Sequence, residues 1–116
     1  MFLNLSNHPT RLWTEDQIVA AKAYHPQIVD MPFPHVSPLA DTHEIALISE
    51  QIMDEIRKLN PVAVHLMGEF TLSFLLVMQL KHVGTPVMVS TSVRDVIDHP
   101  DGTKTTRFKF VRFREY

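Results

Sequence analysis

Side chains able to do chemistry gather at a few points of this 116-residue chain. Ser6, Asn7, His8 and Thr10 follow an apolar opening, "MFLNL". Gly68 and Glu69 stand between "VAVHLM" and the apolar run that begins at Phe70. Ser90, Thr91 and Ser92 close "PVMV", with Arg94 two positions further on. Hydroxyls, an amide, an imidazole and a glycine-opened helix start are small hydrogen-bonding groups that suit a phosphate-bearing or nucleotide-like ligand. The first N–H groups of a helix lack intrahelical partners and favour an anion. His8 can take or give a proton near neutrality, because an unperturbed imidazole titrates at about 6.5. Glu69 puts a carboxylate where an anion would sit. It is either a cap that balances its own helix dipole or an acid–base group of the site.

Other chemistries find little support. The chain has no cysteine, which removes disulfides and thiol catalysis. GxGxxG, GxxxxGK[ST] and GxSxG are absent, and with them the usual dinucleotide, nucleoside-triphosphate and serine-hydrolase signatures. Seven histidines give no HxH, HxxxH or HExxH spacing, so no metal and no cofactor is expected. His65, inside an apolar strand, reads as a satisfied core histidine. A net charge of −2 provides no global field for nucleic acid, so no long nucleic-acid partner is expected. The one basic concentration is Arg107, Lys109, Arg112 and Arg114, with Arg94 on the facing arm. It reads as an edge strand guarded by charge or as phosphate contacts beside Phe108, Phe110 and Phe113. The opening lacks a signal-peptide pattern, and the most apolar stretch, 62–80, is broken by His65, Gly68 and Glu69. A cytoplasmic protein without membrane contact is the expectation.

The elements that must position these groups follow from periodicity. "MFLNLS" is a short strand. Thr14 with Gln17 forms a capping-box pattern, and Trp13 with Ile18 a staple, so a helix is predicted over 14–24. Gln27–Met31 is a second strand, ended by Pro32 and Pro34. Asp41 and Glu44 open a long helix whose stripe is Ile45, Ile48, Ile52, Ile56 and Leu59, ended at Asn60-Pro61. "VAVHLM" is apolar enough for a strand covered on both faces. A third helix runs from Glu69 to Gly84, and "PVMVSTS" is a fourth strand. Two further strands meet at "HPDG", and Val111 breaks the alternation of the last, which predicts a bulge or a two-sided strand. Short connections between alternating strands and helices define one α/β domain over 1–116: a Rossmann-like three-layer sandwich, mainly parallel, with a C-terminal antiparallel hairpin. In such sheets ligands sit outside the carboxyl ends of the strands, which brings together the loops after Ser6, Asp30, Met67 and Ser90.

The short segments "FLNLSNHPT", "AVHLMGEFT", the "STS" after the fourth strand and "KFVRFREY" carry a likeness that extends over most of the chain. They resemble a small bacterial family, the free-standing CARF-like (Rossmann-like) proteins found near type III CRISPR systems. Some members bind cyclic oligoadenylate and some cleave it as ring nucleases. The resemblance implies a homodimer with the ring across its two-fold axis. It implies cleavage without metal, by attack of a ribose 2′-OH on its own 3′-phosphate. His8 would then handle a proton, Ser6, Asn7 and Thr91 would hold the phosphate, and the helix start at Gly68 would stabilise its charge. Two other readings stand beside it. One is a non-catalytic protein that assembles through its apolar helix or basic last strand. The other is an enzyme acting on a different small phosphorylated molecule.

Overall fold

The computed structural model describes all 116 residues. The strands are β1 (Phe2–Ser6), β2 (Ile28–Pro32), β3 (Ala63–Met67), β4 (Val87–Asp98) and β5 (Lys104–Glu115). The helices are α1 (Glu15–Lys22), α2 (Thr42–Leu59) and α3 (Phe70–His82), with a 3₁₀ turn at Thr10–Leu12 before α1. The strands form one mixed sheet in the order β2-β1-β3-β4-β5. Pairing is parallel from β2 through β4, and β5 returns antiparallel to β4. At this coarse level the domain is α/β and Rossmann-like. The order 2-1-3 puts a topological switch point between β1 and β3, where a crevice opens at the carboxyl ends of the strands.

Strand alternation sorts the core onto two faces. Leu3, Leu5, Val64 and Leu66 are fully buried against Ile45, Met53 and Ile56 of α2 and Leu72, Leu76 and Leu80 of α3. Each such side chain contributes about 1.5–3 kcal/mol by leaving water. Phe2, Ala63 and Met88 face the other way, toward Trp13 and toward Ala21 and Ile18 of α1. The middle residues of that second face are polar: Asn4 and His65, neighbours in the β1–β3 register, are both 1% exposed.

Local signals explain most boundaries. Asp41 caps α2 by accepting from the Glu44 N–H at 2.8 Å, and Asn60 ends it in the left-handed region, with φ 49°. The helix-one capping box is corrected. Thr14 stands at the N-cap, but its hydroxyl makes no cap bond, and Gln17 is turned inward and buried. Ile18 packs on the same cluster as Trp13. The second strand runs one residue further than expected, and Pro32 ends it opposite Ser6. Proline is tolerated there because β2 is an edge strand.

The largest correction concerns β4. The fourth strand and the first arm of the terminal hairpin are one continuous strand of 12 residues. Its partner β5 carries the bulge at Val111: Thr91 lies opposite Arg112 and Ser92 opposite Phe110, leaving Val111 unopposed. The reversal has Pro100 and Asp101 at its centre, with the Gly102 N–H donating to the His99 carbonyl at φ 86°. Only Val87 and Met88 of β4 pair with β3, so the rest of the hairpin projects as a two-stranded arm. The radius of gyration is 16.1 Å, against roughly 13 Å for a compact chain of this length.

Candidate ligand-binding site

A cavity of about 420 Å³ opens at the switch point. Its floor is Ser6 of β1 with Asn7 and His8 just after it, His65 and Met67 of β3 with Gly68 just after it, and Gln17 from α1. Ser90, Thr91 and Ser92 of β4 form one side, and Phe108 and Phe110 of β5 form a wall. The volume falls within the range of small-molecule sites, roughly 300–1,000 Å³.

Beneath the floor runs a hydrogen-bond chain whose proton positions follow from its ends. The Asp30 carboxylate can only accept. It takes the Asn4 Nδ2–H at 2.9 Å, and the Thr10 hydroxyl at 2.9 Å. The second Asn4 Nδ2–H donates to the His8 carbonyl at 2.9 Å. That fixes the amide, so Asn4 Oδ1 is the acceptor, and Ser6 Oγ donates to it at 2.7 Å. His65 Nδ1, 2.9 Å from the same oxygen, must therefore carry a proton. Its Nε2 is left with a lone pair directed to Ser90 Oγ, 3.3 Å away. Ser90 also lies 3.0 Å from the Met67 sulfur.

Burial holds His65 neutral. Desolvation first, and the charge of nearby His8 second, lower its pKa from 6.5 to about 4. Trp13 meets the ring edge-on at 5.5 Å and Phe113 lies at 5.3 Å, which excludes water from its far side. Trp13 Nε1 donates to the His8 carbonyl at 2.9 Å, fixing the loop after β1 from the other side.

Ser6, Asn7, His8, Gly68, Ser90, Thr91 and Ser92 are brought together in the cavity lining, while Thr10, Glu69 and Arg94 are not among its residues. Thr10 bonds Asp30 through both its N–H and its hydroxyl. Glu69 is the N-cap of α3. Its carboxylate accepts from the Thr71 N–H at 3.0 Å and the Leu72 N–H at 2.8 Å. These bonds, with the Thr71 hydroxyl, hold its pKa below the ordinary glutamate value. A carboxylate therefore occupies the helix start that an anion would use. Arg94 lies across from Phe108 on the arm and shares its face, beyond the cavity mouth, with no carboxylate within ion-pair distance. Gly68 has a packing reason: a Cβ there would lie 2.5 Å from the ring of buried Phe33.

No sequence motif marks Asn4, Gln17 and Asp30 as site residues, and His65 reads there as core. The available signal was periodic: Asn4 and His65 are the polar members in the middle of two otherwise apolar strands. No three His, Asp or Glu side chains lie close enough to share a metal ion. No helix is long and apolar enough to cross a membrane.

Fold and cavity define an α/β domain with a ligand-sized, polar-floored and aromatic-walled cavity at its switch point. Residues 1–114 match the model of the Uncharacterized protein MJ1673 family, and the chain belongs to that family. No curated protein and no solved structure matches it significantly.

Proposed function

We propose that this domain, as a three-layer CARF-like sandwich, binds a cyclic oligoadenylate-type nucleotide in type III CRISPR defence. It does so as a homodimer in which two cavities share one symmetric ring. The observation that carries the reading is the pairing of surfaces within one cavity. A floor of small donors and acceptors meets a wall of two aromatic rings, Phe108 and Phe110. Sugar and phosphate oxygens suit the floor, and a base stacks on an aromatic face, worth roughly 1–3 kcal/mol per base. Arg94, on the cavity side of the arm, is the cation available to a phosphate at the mouth.

The dimer is supported by α3. Phe70 is 90% exposed, and Phe74 and Met78 continue its stripe one and two turns on. This ridge is flanked by two grooves of about 470 and 390 Å³, a shape able to mate with itself about a two-fold axis. Met67 and Gly68 border both the first groove and the polar cavity, so such a dimer brings the two cavities near the axis. The same exposed ridge favours the second reading, a protein that assembles through α3 with a different partner and binds no nucleotide.

Binding and turnover of cyclic tri-, tetra- and hexa-adenylate, measured with EDTA present on wild type, Phe108→Ala and His8→Ala, test the proposal. It expects one ring size to bind and Phe108→Ala to weaken it about tenfold or more. Absence of binding to every ring sinks it and leaves the assembly reading.

A further inference from the structure

We propose that Ser90 is a nucleophile, with His65 Nε2 as its base and Asn4 as the residue that positions that base. The inference rests on the phosphodiester reading for its substrate, but not for its chemistry. Three observations meet. The imidazole tautomer is forced by a chain that begins at the Asp30 carboxylate and passes through a fully determined Asn4 amide. The free lone pair faces a hydroxyl at 3.3 Å, a separation that tightens when a substrate fills such a site. Both partners line the one cavity that holds the polar floor and the aromatic wall. Nucleophile, base and orienting amide in that order are the arrangement by which a weak hydroxyl is activated.

Ser90 Oγ–H has one competing acceptor, the Met67 sulfur at 3.0 Å. A thioether is only a weak acceptor, so the imidazole lone pair is the stronger base for that proton. His8, exposed at the cavity rim with no hydrogen bond to its ring, can donate to the oxygen that gains charge.

The step balances within the cavity. Ser90 Oγ bonds to phosphorus as its proton passes to Nε2. The bond from phosphorus to the 5′-oxygen breaks, and that oxygen takes the proton from Nε2. The product is a linear chain with a free 5′-hydroxyl, esterified to Ser90 through its 3′-phosphate. Water, deprotonated by Nε2, then attacks phosphorus, and Ser90 leaves with its proton restored.

A fluorophosphonate probe tests the nucleophile without a ring, since Ser90 would displace fluoride and keep the phosphonyl group. Peptide mapping is expected to place one adduct on Ser90, absent in Ser90→Ala and formed roughly a hundredfold more slowly in His65→Gln. Mapping on wild-type protein needs no variant to fold, and thermal melts check both variants. Absence of adduct on Ser90, or a rate unchanged in folded His65→Gln, overturns the proposal whether or not rings bind. An adduct that no cyclic oligoadenylate slows upholds the nucleophile and counts against the nucleotide reading.

Discussion

Acid should destabilise this protein through one buried imidazole. His65 is 1% exposed and neutral in the fold, whereas in the unfolded chain it titrates near 6.5. Above that pH both states are neutral and the group contributes nothing to the pH dependence. As pH falls through 6.5 the unfolded state gains a proton the native state refuses, so stability drops. The loss is complete only below about 4, where the native ring also protonates. The interval corresponds to about 3 kcal/mol, a large share of the roughly 5–15 kcal/mol typical of a domain. Urea unfolding of wild type and His65→Gln at pH 7, 6, 5 and 4 isolates this contribution, because the carboxylates titrate in both proteins. The wild type should lose about 3 kcal/mol more than the variant between pH 7 and pH 4. Parallel curves would refute the reasoning and place the His65 ring in water.

Three further outcomes follow from the same contacts. Gly68→Ala should cost about 1–3 kcal/mol by denaturant unfolding, since its Cβ meets the Phe33 ring, and Phe33→Leu should relieve part of that loss. Glu69→Ala should cost about 1 kcal/mol as a lost helix cap while leaving nucleotide binding unchanged, read by unfolding and by titration on the same sample. Phe70→Glu with Phe74→Glu should turn the proposed dimer into a monomer in sedimentation velocity and remove any dependence of the melting temperature on protein concentration.

The parts of this fold governed by local periodicity were legible in the sequence. The stripe from Ile45 to Ile56 and the Asp41 cap define α2 by themselves. The break at Val111 marks the bulge because alternation has period two, and one extra residue must show. Polar residues hid the rest. The polar run Ser90 to Ser92 reads as the end of one strand, with a separate hairpin arm beginning at Val93, yet both belong to β4, because β5 supplies a partner that no local window contains. The site divided in the same way. Ser6, Asn7, His8 and Gly68 come together because they end or directly follow the parallel strands β1 and β3, and Ser90 to Ser92 join them where β4 runs on past the end of β3. The Asp30–Asn4–His65–Ser90 chain depends on β1 lying in register with β3, Asn4 beside His65. That pairing spans 61 residues of sequence, and only the two polar interruptions at strand centres hinted at it. Glu69 was ambiguous in sequence, since a capping carboxylate and a site carboxylate occupy the same position until its N–H partners are seen.

The central claim, one symmetric ring held by two cavities, is tested most directly by the stoichiometry of calorimetric titration with cyclic tri-, tetra- and hexa-adenylate. Saturation is expected at one ring for every two chains, with Phe108→Ala weakening the affinity and Phe70→Glu with Phe74→Glu abolishing the one-to-two ratio. Saturation at one ring per chain would contradict the shared site, and no heat with any ring would contradict the nucleotide reading altogether.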